Sequence, residues 1–351
     1  MRKLDGPAEQ GGRLVTEPQP PDVFLSGLLF ADIVFSGMEK PTLGTETWTR
    51  GMDSGPGGIA NFAVALRRLG LRTGLAAAFG ADMLGDYCWA ELAGREGVDL
   101  TRSRRFPGWR TPVTVALAYD EDRALVTHGQ PPPLSADDLV GQPPASRAAA
   151  VHIGEEPQEW LVRAHAQGTL VFADLGWDPS GEWAPEVLEQ LSHCHAFLPN
   201  AGEAMAYTGT STPAAALSRL ADLVPVAVVT LGPDGALAVD NTTGESGSVP
   251  GLAVTTLDPT GAGDVFGAAF IFATLADRPL AERLRFANLA AALSVQRLGG
   301  AMAAPGWADI AGWWRTARAG DPGPGRDYAF LDSWIPEFLT GQEHLEGQDT
   351  P

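Results

Sequence analysis

The stretch Asp258-Pro-Thr-Gly-Ala-Gly-Asp264-Val-Phe-Gly-Ala-Ala-Phe carries the densest chemistry in the chain. Its Gly261-Ala262-Gly263 turn runs straight into a long apolar segment, as a glycine turn feeding a helix does. Glycine admits positive φ and lets a ligand approach the backbone. The first amides of a helix, with its dipole, form an anion hole. Asp264 falls at that terminus, where a carboxylate caps the amides or faces a group bound beside them. A capped helix after a tight turn has the same pattern, so the company this turn keeps must decide.

Three further segments supply company. Gly57-Gly58-Ile59-Ala60-Asn61 opens an early helix with two glycines, and Asn61 offers both a donor and an acceptor towards hydroxyls. Pro199-Asn200-Ala-Gly-Glu203 follows an apolar strand, where polar loop groups gather around ligands in α/β proteins. Thr230-Leu231-Gly232-Pro-Asp-Gly235 ends another strand in the same way.

Composition narrows the chemistry. The chain has 351 residues, enough for one large domain or two small ones, with 24 basic and 43 acidic side chains and a net charge of −19. That charge disfavours nucleic acid and anionic membranes as partners. Only Lys3 and Lys40 are lysines, and neither follows glycines or precedes Ser or Thr as a Walker-A lysine must. Protein-kinase and pyridoxal-phosphate chemistry lack a lysine too. If phosphate is handled, it is handled without lysine. Cys88 and Cys194 form no C-x-x-C, are expected in the core, and suit a reducing compartment. His193 and His195 flank Cys194, but no further ligand stands near them in sequence to complete a metal site.

The elements that must position these residues alternate. Val23–Leu29 reads as a buried strand, and residues 58–69 as a helix with Ile59, Phe62, Ala63 and Leu66 on one face. Short apolar runs at 151–154, 169–174, 196–200 and 226–232 are separated by helical patterns at 157–167, 185–193 and 213–223. This order implies a mostly parallel sheet covered on both faces. The amphipathic strand 111–119, with a hairpin partner at 123–127, suits a small separate sheet such as a lid. Residues 1–21 are polar and rich in Pro and Gly, read as a loose leader without a signal peptide. The longest apolar run, 265–276, is short of the roughly 20 residues of a membrane span. A soluble, cytoplasmic protein is expected. Gly320–Arg326 reads as a linker, and the acidic tail beyond it carries aromatics that suit a docked helix or a self-association segment.

Four motifs in this order, G-G-x-x-N, N-x-x-E, T-L-G and D-x-T-G-A-G-D, resemble those of the PfkB, or ribokinase-like, carbohydrate kinase family, over about residues 22–307. The resemblance implies a three-layer α/β/α sandwich with a mostly parallel central sheet and a small β-sheet lid. It places the kinase domain at 22–310, the lid strands at about 32–55 and 111–128, and a C-terminal extension at 311–351. It implies phosphorylation of a hydroxyl on a small sugar or sugar acid by ATP with Mg²⁺. Asp264 matches the general base, and Gly261, Ala262 and Gly263 the anion hole that would stand in for the missing lysine. Asp32, Gly58 and Asn61 match sugar-binding positions, and Glu155, with Glu156 as its substitute, follows the strand where many members carry an acid. Asn200, Thr230, Gly232, Gly235 and Asn288 match the ATP side. Glu203 and Asn200 match the pair that organises Mg²⁺ through water. Asp258 and Thr260 match the monovalent-cation (K⁺) site of some members. A homodimer through the lid is left open.

Departures from the pattern bear on the acceptor. Phe30 stands where ribokinases carry asparagine, and Ile59 replaces the lysine of their Gly-Gly-Lys, which disfavours ribose itself. Pro259 replaces the usual threonine and removes an N–H beside the cation site. Arg102, Arg104, Arg105 and Arg110 precede the lid strand and are either solvated or poised for an anionic group on the substrate. Two alternatives remain: a nucleoside kinase of the same family, and a catalytically silent ribokinase-like binding protein. A Rossmann dehydrogenase would need G-x-G-x-x-G after the first strand, and Gly27-Leu-Leu-Phe does not supply it.

Overall fold

The computed structural model describes residues 19–119, 122–176, 181–320 and 325–336. Its centre is an eight-stranded sheet in the order Glu245–Val249, Ala236–Asp240, Val226–Thr230, Ala196–Phe197, Leu170–Leu175, Ala148–Ile153, Val23–Ser26, Thr73–Ala76. The six strands from Val226–Thr230 to Thr73–Ala76 run parallel, and the two at the other edge are antiparallel.

Both faces of this sheet are covered, which is why its strands read as continuous apolar runs. Val23 and Leu25 pack with helices Ile59–Arg68, Ala262–Leu275 and Leu280–Ser294, whereas Phe24 faces Trp160 and the helices on the opposite side. Ala148 and Ala150 divide from Ala149 and Val151 in the same way. Helix Ala262–Leu275 is buried almost all round, from Val265 to Ile271 and again at Ala273. That explains the long apolar segment after Asp264. No helix among the described residues is long and apolar enough to cross a membrane.

A separate four-stranded sheet has the order Gly51–Gly58, Leu29–Ser36, Val113–Tyr119, Asp122–His128. Val113–Tyr119 pairs with Asp122–His128 as the expected hairpin. Its inner strands bring Asp32 opposite Gly55 and Thr114. The expected run at 23–29 is divided: Val23–Ser26 belongs to the large sheet and Leu29–Ser36 to the small one. Gly27 stands at the break, where an added Cβ would lie 3.0 Å from the Ile59 Cβ.

Helix Trp307–Ala319 and the turn Leu331–Trp334 lie against helices Ala262–Leu275 and Leu280–Ser294. The Trp334 ring stands 4.9 Å from Phe286 and 4.8 Å from Phe330, and the Arg278 guanidinium lies 4.8 Å over it. Trp314 donates its indole N–H to Asp332 at 2.7 Å. The aromatics of residues 325–336 are thus core, and the acidic remainder from 337 lies outside the described residues. Trp334→Ala is expected to cost about 3 kcal/mol through the cavity it leaves, read as a lower urea midpoint with an unchanged slope.

Candidate active site

Asp264 lies in the first turn of helix Ala262–Leu275, and both of its carboxylate oxygens are engaged. Asn61 Nδ2 donates to Oδ2 at 2.8 Å, and His152 Nε2 lies 2.8 Å from Oδ1. The two donors arrive from different elements, helix Ile59–Arg68 and strand Ala148–Ile153. Gly261, the residue that starts the helix, has φ +74°, and a Cβ there would lie 3.0 Å from the Asn61 amide. Only glycine allows the turn this conformation and this closeness to Asn61. Of the amides that follow, Ala262 donates to the Pro259 carbonyl at 3.3 Å and Val265 to the Gly261 carbonyl at 2.9 Å, while those of Gly263 and Asp264 precede the first helical acceptor.

The small sheet closes the other side of this space. Asp32 is buried, and burial pushes its pKa up to about 7, with the charges of Asp264 and Asp258 adding to the effect. A Cβ on Gly57 would coincide with the Asp32 carboxylate, so this position admits glycine alone. Asn61 Oδ1 and Thr260 Oγ1 are buried without a partner. A Cβ on Gly300 would lie 3.4 Å from Thr260 Cγ2, 3.5 Å from Asn61 Oδ1 and 3.8 Å from Asp32 Oδ2. Asp32 and Asn61 therefore turn oxygens toward one spot, beside the Thr260 methyl group. A molecule bearing hydroxyl donors satisfies them.

A second group of carboxylates stands on the sheet side. Asp174 pairs in register with His152 on the neighbouring strand, so both project from the same face near the strand ends. Burial, and then the charge of Glu203, raise the Asp174 pKa well above the ordinary range. Burial also raises Glu203, against the hydrogen bonds from Asn200. His152 is the basic side chain beside these groups. Burial works against its imidazolium, but the hydrogen bond and charge of Asp264, then Asp174 and Glu203, outweigh it, and its pKa is raised.

Asn200 and Glu203 form a capping box at helix Ala201–Thr208: Asn200 Oδ1 accepts from the Glu203 amide at 3.0 Å, and Glu203 Oε2 accepts from the Asn200 amide at 2.9 Å. One Glu203 oxygen remains for other partners. Hard oxygens on carboxylates that burial disfavours as free anions fit a hydrated Mg²⁺. Candidate cation ligands in closer array are His152, Asp174 and Asp264, whose ligand atoms lie within 4.8 Å of one another. Asp258 is buried, and its two oxygens accept from the Thr260 and Gly299 amides at 2.9 and 3.1 Å, one bond each. Thr260 Oγ1 has no partner.

Thr230 bridges to Asn200 across the sheet, and Gly232 and Gly235 bound the turn that follows. That turn lies on the loop after Glu245–Val249, since a Cβ on Gly235 would strike the Val249 carbonyl oxygen. Asn288 is buried and donates to the Val249 and Pro250 carbonyls at 3.4 and 3.3 Å. A cavity of about 190 Å³ opens beside the same loop, between Leu252, Arg285 and Tyr328.

Glu155 differs from its expected placement. It is exposed in the turn after strand Ala148–Ile153, as is Glu156, and no contact joins either to Asp32, Asn61 or Asp264. The strand ends one residue before Gly154, and the residue that reaches Asp264 is His152. His152 and Asp174 are the site residues that motif reading missed. The available signal was a polar residue at the same depth in two successive apolar strands, Ala-Ala-Ala-Val-His-Ile and Leu-Val-Phe-Ala-Asp-Leu. Of the four arginines before the lid strand, Arg102 donates to the Val140 and Gln142 carbonyls, and Arg105 pairs with Asp86 over the Trp89 ring. Cys88 and Cys194 are buried free thiols, and burial pushes each up to about 12.

A mostly parallel sheet beside a separate small sheet, with a carboxylate in the first turn of a helix entered through a glycine turn, frames this polar site. A family model described as pfkB family carbohydrate kinase matches residues 49–306. The chain belongs to this family and is an ATP-dependent carbohydrate kinase. It is 26% identical to the ribokinase of Haemophilus influenzae over 258 residues, covering 70% of this chain and 82% of that protein. It is 21% identical to the 5-dehydro-2-deoxygluconokinase of Bacillus thuringiensis over 326 residues, covering 86% and 97% of the two. The structure of Arabidopsis thaliana ribokinase complexed with ribose and ATP superposes with a TM-score of 0.68 at 24% identity, over 82% of this chain and 96% of that one. This likeness bears out the ribokinase-like layering and the separate small sheet.

Asp32 supplies a pH test. Its carboxyl holds a proton up to about pH 7 when folded but ionises near 3.8 when unfolded. Over that window the folded state binds the extra proton, so Asp32 lowers stability progressively as pH rises. Asp32→Asn is expected to match wild type at pH 4 and exceed it at pH 8, by up to about 4 kcal/mol. Urea titrations at the two pH values read the difference.

Proposed function

We propose that the protein phosphorylates a hydroxyl of a small sugar or sugar acid with the γ-phosphate of ATP, using Asp264 as general base. The observation that carries this reading is the placement of Asp264 at the start of helix Ala262–Leu275, held by Asn61 and beside the Gly261–Gly263 turn. Asp32, Gly58 and Asn61 would hold the acceptor against the small sheet, where the unpartnered Asn61 Oδ1 and Thr260 Oγ1 ask for hydroxyl donors. Glu155 is left out of this set because of its exposure.

The step balances as follows. The acceptor hydroxyl gives its proton to Asp264, and its oxygen's electron pair forms a bond to the γ-phosphorus. The bond from that phosphorus to the β–γ bridging oxygen breaks, and ADP leaves with the pair. Amides of the Gly261–Gly263 turn donate to the charge on the transferring oxygens, which spares the site a lysine. Thr230, Gly232 and Gly235 flank the nucleotide phosphates, and Asn288 stands on the base side. Asn200 and Glu203, with Asp174, would organise Mg²⁺, which supplies charge screening when bound. Asp258 and Thr260 stay candidates for a monovalent-cation site, and no step above depends on one.

The 5-dehydro-2-deoxygluconokinase relative supports a sugar-acid acceptor as readily as the ribokinases support a sugar. The edge strands of the small sheet are Gly51–Gly58 and Asp122–His128, and a dimer through this sheet accords with Met52, Leu125 and Val126 exposed on them. ADP release from Mg-ATP across a panel of sugars, ketoses, sugar acids and nucleosides tests the proposal. One acceptor should turn over, and Asp264→Asn should lower kcat by about 10² or more. Nucleoside turnover would redirect the reading within the family. ATP binding without turnover of any acceptor would favour a silent binding protein.

A further inference from the structure

We propose that His152 is the positioning residue of the Asp264 carboxylate, fixing its plane through Nε2–H donation to Oδ1 while Asn61 fixes Oδ2. The inference rests on the assignment of Asp264 as base. A carboxylate held by one donor can still turn about its last bond. One held at each oxygen, by donors on separate elements, has its plane defined and its remaining lone pairs directed. The two bonds are equal, at 2.8 Å.

His152 is itself held. It projects from a central strand in register with Asp174, so the large sheet fixes its backbone. The Phe62 ring lies 5.7 Å from the imidazole at a tilt of 59°, and the imidazole is mostly buried. Asn61 and Phe62 are neighbours on one helix, so the same turn of helix Ile59–Arg68 bonds the carboxylate and buttresses the histidine. The Nε2–H tautomer follows, because a carboxylate oxygen only accepts. No motif among the four in the sequence includes this residue, and its role is one of orientation, not of contact with the reacting atoms.

Three substitutions separate positioning from bulk packing. The amide nitrogen of glutamine falls near Nε2 of a histidine, whereas that of asparagine falls near Nδ1. His152→Gln should therefore keep most of the wild-type kcat. His152→Asn and His152→Leu should lose about 10- to 100-fold in kcat, with KM for acceptor and for ATP within about twofold of wild type. A packing role would make Gln and Asn equally poor, or would move KM and thermal stability instead. Either result overturns the proposal, as does a folded Leu variant with wild-type kcat.

A second measurement does not depend on turnover. Long-range ¹H–¹⁵N spectra of the intact protein should show His152 protonated at Nε2, and Asp264→Asn should shift the Nε2 resonance. An unchanged resonance overturns the proposal even if no acceptor has been found. A wild type silent on every acceptor, with the shift present, would instead sink the assignment of Asp264 as base and leave the clamp standing.

Discussion

Three elements meet on one carboxylate. Asp264 rides on a helix buried almost all round, Asn61 on a second helix, and His152 on a central strand of the large sheet. A displacement of any one would break a hydrogen bond of 2.8 Å to this part-buried carboxylate. The local sequence details make sense against this meeting point. Position 261 is glycine because the turn needs φ +74° and a Cβ there would crowd the Asn61 amide at 3.0 Å. Gly57 is glycine because the Asp32 carboxylate occupies the space of its missing Cβ. Both glycines keep the backbone out of the way of side chains that carry the chemistry.

The site gathers more carboxyl groups than a protein ordinarily tolerates in a buried place, and burial holds several of them toward the protonated form. Asp32 and Asp258 stand on the small-sheet side, Asp174 and Glu203 on the large-sheet side, with Asp264 between. His152 is the basic side chain that acts on Asp174 and Glu203. Such an arrangement is costly in the free protein. The cost is offset when donors and cations arrive: hydroxyls at Asp32, a hydrated divalent ion at the strand ends. The absence of a suitable lysine from the chain is consistent with this division, since backbone amides and bound cations can meet the phosphate charge instead.

Much of this could be read from the residues. The glycine turn with Asp264, the Gly57-Gly58 entrance and the N-x-x-E cap are local, and their spacing carries their geometry. The parallel sheet was legible because its strands are buried on both faces. The splitting of residues 23–36 between two sheets was not, since one apolar run served both and only Gly27 marks the break. His152 was equally hidden. Its partner lies 112 residues away, and its own neighbours are those of any buried strand. Glu155 drew attention because an acid after a strand suggests a ligand. The strand's register decides which residue faces the site, and shifting along an extended chain reverses the facing at each step.

The segment after the family match adds a further constraint. Residues 325–336 bring Tyr328, Leu331, Trp334 and Ile335 onto helices Ala262–Leu275 and Leu280–Ser294. The first of these helices starts with the anion-binding turn, and the second carries Asn288 against the Val249–Pro250 carbonyls. Packing at one end of a close-packed helix pair is transmitted along it, because the interior cannot absorb a shift by compression. Tyr328 also lines the cavity beside residues 249–252, next to the loop on which the Gly232–Gly235 turn rests. The aromatic segment 325–336 thus bears on the loop beside Asn288 and the Gly232–Gly235 turn, as the small sheet bears on Asp32. The large sheet holds both in register with Asp264 between them.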